Sequence, residues 1–205
     1  MTLNTLLTIT GPSGSGKTEL LKMLSATGDF EKLVSVTTRP PRPGEVGGVD
    51  YYFVGKDEFE SMSSAGQLLQ EVSFNGFQYG TAKDEFTRVQ GLGKVPAVIV
   101  EPSGVSHFKS LGQQHGFVVK SLFITAELKT LIERSLLRLV GEPIDPMLVP
   151  YFSRRILATV DEHAKWLYLV NYDFTLYNTG SIQELEKYAS SLNSLIHNLG
   201  DPIDS

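Results

Sequence analysis

The feature that most constrains the fold of this chain is a glycine-rich stretch near its N-terminus. Residues 11–18 read Gly-Pro-Ser-Gly-Ser-Gly-Lys-Thr and match the pattern G-x-x-x-x-G-K-[ST]. An apolar, strand-like run at residues 3–9 precedes this stretch, and a helical pattern begins near Lys17. A strand, a glycine-rich turn and a helix in this order predict a phosphate-binding loop in an α/β protein.

The residue types in this loop suit a nucleoside triphosphate. Glycines let backbone N–H groups turn inward around a phosphate, and the helix N-terminus adds partial positive charge. We expect Lys17 to reach the β- and γ-phosphates and Thr18 to bind Mg²⁺ through its hydroxyl. A glycine-rich turn without a ligand is the alternative. The ATP-binding residues predicted here are Gly11, Pro12, Ser13, Gly14, Ser15, Gly16, Lys17 and Thr18.

The wider pattern predicts one α/β domain. The chain has 205 residues, of which 41% are apolar, and it has no cysteine, which excludes disulfides and cysteine-ligated metals. Four apolar runs each precede a plausible helix, and this alternation predicts a central parallel sheet in a three-layer α/β sandwich. The runs cover residues 3–9, 95–101, 117–124 and 174–177.

Two segments break this alternation and predict insertions. Residues 34–83 show short polar–apolar alternations, and Asn75-Gly76 suits the type I′ turn of a hairpin, so we expect a small, mostly β insertion. Residues 134–155 contain one glycine and three prolines among several arginines, which predicts a mobile helical lid. The core of the single domain is then expected to comprise residues 1–33, 84–133 and 156–205.

Charge and hydropathy restrict the partners and the location. The net charge of −5 is opposite in sign to the basic face expected of a DNA- or RNA-binding protein. The N-terminus lacks the features of a signal peptide, and no apolar run approaches the ~20 residues that cross a bilayer. We therefore expect a cytoplasmic protein that binds neither nucleic acid nor membranes, as a monomer or a homodimer.

A second anion-binding stretch follows the loop. Arg39 and Arg42 lie three residues apart in a proline-rich run, and polyproline II geometry would place both on one side. Their guanidinium groups could close on one phosphate. A solvated basic turn or a proline-rich surface ligand is an equally open interpretation of these residues alone.

The surrounding residues resemble a known family. Residues 35–45 and 48–53, followed by Tyr79-Gly80-Thr81, resemble the monophosphate-binding signature of guanylate kinases, and with the loop at 11–18 the order and spacing match that family over most of the chain. The resemblance implies an acceptor site made of Ser35, Arg39, Arg42, Glu45, Tyr51, Gln70, Tyr79, Thr81 and Glu101.

The resemblance also implies roles for these residues. The arginines, with Tyr51 and Tyr79, would bind the α-phosphate of the acceptor, whereas Ser35 and Thr81 would face its base. Glu45 would support the acceptor or its arginines. Packing in the core or in the hairpin is the alternative for each tyrosine taken alone.

Two positions depart from the family pattern. Gln70 stands where the family has a glutamate that accepts hydrogen bonds from guanine N1 and N2, and Glu71 follows it. A one-residue bulge could bring Glu71 into that place, although adjacent residues of a strand normally face opposite sides. Ile99 and Glu101 stand where the family usually has two aspartates. Both departures concern the acceptor, so they bear on base preference.

The lid and the last strand supply further candidates. Arg134 and Arg138 lie on one helix face, and Arg155 precedes Glu162 by seven residues, as the lid arginine of the family precedes a glutamate. Surface ion pairs are the alternative for each arginine. Asn178 would border the adenine, or would cap the following helix. The predicted catalytic residues are Lys17, Arg39, Arg134, Arg138 and Arg155.

Together these features predict a kinase that uses ATP and Mg²⁺ to convert GMP or dGMP to GDP or dGDP. No general base is needed, because a phosphate oxygen is already a nucleophile at neutral pH. The alternatives are the same chemistry on another (deoxy)nucleotide or a ribose phosphate, an inactive guanylate-kinase-like module that binds phosphopeptides, and a plain ATPase.

Overall fold

The structure is a computed structural model that describes residues 5–42, 44–74, 76–140 and 149–198, and within these ranges the side chains of 138–140, 149–153, 155, 197 and 198 are not described. The strands are β1 (Thr5–Thr10), β2 (Phe30–Lys32), β3 (Val36–Thr37), β4 (Tyr52–Phe53), β5 (Leu68–Phe74), β6 (Phe77–Ala82), β7 (Val95–Ile99), β8 (Val118–Thr125) and β9 (Phe174–Tyr177). The helices are α1 (Lys17–Ala26), α2 (Lys56–Ser64), α3 (Lys83–Gly91), α4 (Pro102–His115), α5 (Leu128–Val140), α6 (Val149–Leu169) and α7 (Ile182–Asn198).

The central sheet has five strands in the order β2-β7-β1-β8-β9, and all of its pairings are parallel. The four apolar runs of the sequence form β1, β7, β8 and β9, so the predicted α/β class with a central parallel sheet is confirmed. The edge strand β2 was missed, because three residues are too few to show a strand pattern.

Helices cover both faces of this sheet. Leu7 and Ile9 of β1 point to one face and join the buried leucines of α1 and the apolar stripe of α7. Leu6 points to the opposite face and joins Val89 of α3 and Phe108 of α4. Because a parallel sheet is buried on both sides, its strands are apolar over most of their length, and this is why the sequence showed them clearly.

A second sheet of four strands, in the order β4-β3-β6-β5, lies within the segment predicted as the insertion. Strands β5 and β6 form the expected antiparallel hairpin, in which Phe74 pairs with Phe77 and Gly76 has a φ of 82°. The insertion also contains helix α2, which the sequence did not predict. Its predicted end at residue 83 falls at the first residue of α3.

The predicted lid joins α5 and α6. Helix α5 continues to Val140 and α6 begins at Val149, whereas the middle of the lid, residues 141–148, lies outside the described residues. Pro150 was expected to interrupt a helix, but it lies in the first turn of α6. A proline is tolerated there, because the first N–H groups of a helix have no partner within the helix.

Among the described helices, none is both long enough and apolar enough to cross a bilayer. Apolar residues recur at helical spacing between Ile182 and Asn198, which predicts a helix over this range, and α7 has these bounds. Its buried face consists of Leu185, Ala189, Leu192 and Ile196, and other apolar positions of the helix, such as Ile182, are exposed.

Candidate active site

The glycine-rich loop follows β1 and leads directly into α1. Gly16 caps α1 with a φ of 100°, a conformation that side-chain-bearing residues rarely adopt. A Cβ atom at Gly11 would lie 1.9 Å from the carbonyl oxygen of Ile124 in β8, so the loop also needs this glycine to approach the sheet. The glycines of the motif therefore serve the local path of the backbone as well as any ligand.

The loop is supported from behind by β9 and α5. Asn178 Nδ2 donates a hydrogen bond to the carbonyl oxygen of Ser15 over 2.8 Å, and Asn178 Oδ1 accepts one from the Gly180 N–H. Arg134 Nη1 donates to the carbonyl oxygen of Gly14 over 3.2 Å. Asn178 and Arg134 also line a groove on the outer side of the loop, with Gly14 and Gly16. The adenine contact predicted for Asn178 stays a prediction, and its observed contacts hold the loop.

Lys17 and a carboxylate of α6 lie on the side of the loop that faces a cleft. Lys17 Nζ donates hydrogen bonds to the carbonyl oxygens of Gly11 and Pro12, over 2.6 and 2.9 Å. Ser13 N–H donates to Glu162 Oε2 over 3.0 Å, so one carboxylate oxygen of α6 already contacts a backbone donor of the loop. Thr18, in the first turn of α1, is exposed to the same cleft.

The second anion-binding stretch is centred on a buried arginine. Arg39 is 7% exposed, and its Nη2 forms a 2.9 Å ion pair with Glu45 Oε1. The other oxygen of Glu45 accepts a hydrogen bond from the N–H of Arg42 over 2.8 Å. Burial alone would lower the pKa of the Arg39 guanidinium, but the hydrogen bond and the charge of Glu45 outweigh it and raise this pKa. Glu45 therefore holds the side chain of Arg39 and the backbone of Arg42.

Aromatic rings hold this arginine from its other side. The guanidinium of Arg39 lies 5.3 Å from the ring centre of Tyr51, within the range of a cation–π contact. The rings of Tyr51 and Tyr79 meet edge to face at 6.1 Å. Both tyrosines line the cleft, and burial raises the pKa of the Tyr51 hydroxyl, which therefore stays a hydrogen-bond donor at neutral pH.

The two anion-binding stretches open into one cleft between the central sheet and the insertion. Of the predicted acceptor residues, those that line it are Ser35, Arg39, Arg42, Tyr51, Gln70, Tyr79 and Glu101. The loop contributes Gly11, Ser13, Gly14, Gly16, Lys17 and Thr18. The remaining predicted residues lie just outside this lining: Pro12, Ser15 and Asn178 belong to the loop and its support, Glu45 holds Arg39, and Thr81 is buried beside Gln70 in the hairpin.

The register of the hairpin of β5 and β6 determines which side chain of β5 faces the cleft. The pairing of β5 with β6 shifts by one residue between Leu68 and Gln70, which is a β-bulge. Beyond the bulge Gln70 is buried and lines the cleft, whereas Glu71 is exposed on the opposite side. The bulge therefore brings the glutamine, and not the glutamate, into the site.

Two carboxylates lie at the loop end of the cleft. Burial, and then the charge of Glu162, raise the pKa of Glu101 to about 7. Lys17 is at this end too. The anionic form of Glu101 is therefore disfavoured in the unliganded protein. A bound cation or a proton would reduce the repulsion between the two carboxylates.

This raised pKa predicts a pH-dependent stability. The stability that the folded protein keeps by holding Glu101 neutral is fully present below the ordinary glutamate pKa of 4.5. It is lost as the pH rises through about 7, where Glu101 ionises in the folded protein. We expect Glu101→Gln to leave Tm nearly unchanged at pH 4.5 and to raise it by about 2–4 °C at pH 8. Thermal unfolding at both pH values checks this, with Glu60→Gln on the exposed side of α2 as the control. A difference in Tm that is equal at both pH values would contradict it.

The donor set of the cleft suits Mg²⁺ bound together with phosphates. The described residues contain no cluster of three histidine or acidic side chains that could form an all-protein metal site. Mg²⁺ in nucleotide enzymes is commonly held by one or two protein oxygens, phosphate oxygens and water. The hydroxyl of Thr18 and the carboxylate of Glu101, which line the same cleft, fit that pattern.

Two residues that line the cleft were not predicted as site residues, although Glu162 was noted as the counterpart of a family glutamate. Glu162 and Trp166 line the cleft from α6, and with the buried Thr159 they recur at helical spacing on one face of that helix. A polar residue on an inward-facing helical stripe is the signal that could have identified Glu162. Arg138 and Arg155 belong to α5 and α6, but their side chains lie outside the described residues, so their roles stay predictions.

Comparisons with known proteins agree with this geometry. A family model described as guanylate kinase matches residues 3–148. A guanylate kinase from Enterococcus faecalis is 35% identical over 146 residues, which are 70% of this chain and 68% of that protein. One from Thermosynechococcus vestitus is 47% identical over 100 residues, or 48% of this chain and 52% of the relative.

The sequence matches cover part of each relative, whereas the structural match covers nearly the whole chain. The matched part of the chain spans about half the length of the first relatives, 52% for both the Thermosynechococcus vestitus and the Chlamydia felis proteins. The crystal structure of guanylate kinase from Anaplasma phagocytophilum superposes with a TM-score of 0.70 over 99% of this chain and 89% of that one. Its sequence identity of 22% makes this a likeness of fold.

Proposed function

This chain belongs to the guanylate kinase family, and on that basis we propose that it transfers the γ-phosphoryl group of ATP to GMP or dGMP. The observation that carries this proposal is the single cleft that contains both the loop with Lys17 and the pair Arg39 and Arg42. Two anion-binding groups that face one cleft suit a reaction in which one phosphate oxygen attacks another phosphorus atom. One chain supplies both, so a monomer would suffice.

On the donor side, the loop amides and Lys17 would hold the phosphates of ATP. In the unliganded protein Lys17 donates to two carbonyl oxygens of the loop, so its side chain already lies where the phosphates of ATP would bind. Thr18 and Glu101 would hold Mg²⁺, which when bound neutralises charge on the phosphates. Glu162 would give up its contact with Ser13 N–H to a phosphate oxygen.

On the acceptor side, Arg39 is oriented before substrate binds. Its ion pair with Glu45 and its contact with the Tyr51 ring fix the guanidinium in place, so less side-chain freedom is lost on binding. Arg42 is exposed at the mouth of the cleft and would close on the same phosphate. The acceptor phosphate oxygen is the nucleophile, so the protein has to position it and neutralise charge, and no protein base is required.

The lid would complete the site. Arg134 already lies beside the loop, and we propose that it acts with Arg138 and Arg155 on the ATP phosphates. In phosphoryl transfer the developing charge spreads over the equatorial oxygens, where an arginine can contribute a factor of ~10³–10⁵ in rate.

An acceptor panel tests the proposed function. ADP release is measured with ATP and Mg²⁺ against GMP, dGMP, the other (deoxy)nucleoside monophosphates and a ribose phosphate. We expect release that depends on GMP or dGMP. Turnover with only a different acceptor would overturn the guanine assignment. Acceptor-independent hydrolysis would instead indicate a plain ATPase, and phosphopeptide binding without ATP affinity would indicate a binding module.

A further inference from the structure

Gln70 places a neutral amide in the cleft. Gln70 is 7% exposed, lines the cleft, and its side-chain amide has no hydrogen-bond partner among the residues that the structure describes. Buried amides are normally satisfied by protein, water or ligand. The free donor and the free acceptor of Gln70 are therefore available to a ligand in the cleft.

Among the described residues of the insertion, no carboxylate lines the cleft beside this amide. Glu71, the adjacent acid, is exposed on the other side of β5 because the bulge precedes Gln70. The acids that line the cleft are Glu101 and Glu162. Glu162 contacts Ser13 of the loop, and its charge acts on Glu101, which places Glu101 near Glu162. Among the described lining residues of the insertion, Gln70 is thus the one side-chain amide.

The same strand supplies an apolar wall. Gln70, Val72 and Phe74 alternate along β5, so their side chains lie on one face, and all three line the cleft. A flat ring that rests on Val72 and Phe74 would present its edge to the amide of Gln70. The arginines would meanwhile hold the phosphate of the same ligand.

The hydrogen-bonding pattern of an amide differs from that of a carboxylate. A carboxylate accepts two hydrogen bonds, which suits the adjacent N1–H and 2-amino donors of guanine. An amide placed against these two donors would set its own NH₂ group against one of them. It can instead accept from N1–H and donate to O6, and this donor–acceptor edge is common to guanine and hypoxanthine.

We infer that Gln70 reads the N1–H and O6 edge of a 6-oxopurine and leaves the 2-amino group unread, so that inosine monophosphate is an acceptor alongside GMP. This inference rests on the proposed function, because it assumes that the cleft holds a nucleoside monophosphate. It assigns a further substrate class to the site, the hypoxanthine nucleotides.

The test compares kcat/KM for GMP, IMP and AMP in the wild-type protein and in Gln70→Glu, with Glu71→Gln as the matched control. In the wild type we expect kcat/KM for GMP and IMP to agree within about 10-fold. Gln70→Glu restores an acceptor for the 2-amino group and is expected to raise the GMP-to-IMP ratio by about 10- to 100-fold. Glu71→Gln, which changes a side chain outside the cleft, should leave the ratio unchanged.

The outcomes separate the inference from the function on which it rests. Turnover of GMP with IMP more than about 10-fold poorer in the wild type, or a preference for AMP, would overturn the inference and leave a kinase. If no monophosphate is turned over, the proposed function fails, and calorimetric titration of the wild type with GMP and IMP then decides the inference. Similar Kd values support it, and binding of GMP alone overturns it. The same titration serves if Gln70→Glu fails to fold.

Discussion

Replacing Lys17 with alanine is expected to lower kcat by a factor of about 10³ or more, which is the largest effect that we predict for a single side chain. The ammonium group lies against Gly11 and Pro12, where the terminal phosphates of ATP would bind, and it has to stabilise charge that develops during transfer. Removing one well-placed donor from such a site typically costs 10²–10³ in rate, and a charged donor costs at least as much. Steady-state ADP release at saturating ATP and GMP measures this loss.

The control for Lys17 lies on the same helix. The side chain of Lys22 is 69% exposed, and its one ion pair among the described residues is a long contact of 3.9 Å with Glu19. Lys22→Ala should therefore keep wild-type turnover. Circular dichroism and Tm should show both variants folded. If Lys17→Ala turns over like the wild type, the assignment of the donor site is wrong.

Replacing Arg39 with alanine is expected to lower kcat/KM for GMP by a factor of about 10²–10³, with a smaller effect on the KM for ATP. The guanidinium would supply two charge-assisted hydrogen bonds to the acceptor phosphate, each of which contributes about 1.5–3 kcal/mol. The same change leaves the Glu45 carboxylate without its 2.9 Å partner and should cost about 1–3 kcal/mol of unfolding free energy. Initial rates at varied GMP, with denaturant unfolding alongside, measure both effects.

A matched variant separates these two effects. Arg88 pairs with the buried Glu85 over 2.9 Å on α3, and neither residue lines the cleft. Arg88→Ala should therefore lose stability to a similar degree while the KM for GMP stays at its wild-type value. Arg39→Lys keeps the charge but not the planar fork, and should recover part of the activity. Equal losses of kcat/KM in Arg39→Ala and Arg88→Ala would show that folding, and not phosphate binding, explains the result.

Much of the fold follows from patterns between near neighbours in the sequence. The strands of the central sheet were visible because burial on both faces requires continuous apolar runs, and α7 was visible because its buried positions recur with the period of a helix. The hairpin was visible because Asn75-Gly76 suits one turn type. Strand β2 and helix α2 were missed, since β2 is very short and α2 carries one buried side chain, Phe59, among mostly polar residues.

The sequence by itself determined the chemistry that consecutive residues create, namely the glycine-rich loop with Lys17 and Thr18 and the proline-rich run with Arg39 and Arg42. Their backbone conformation and their charges are local properties. Only the tertiary structure decided what meets these groups: Glu162 reaches Ser13, Asn178 reaches Ser15, and one bulge turns Gln70 into the cleft. Such contacts depend on strand register and helix packing between residues that are distant in the chain, and no local pattern encodes that register.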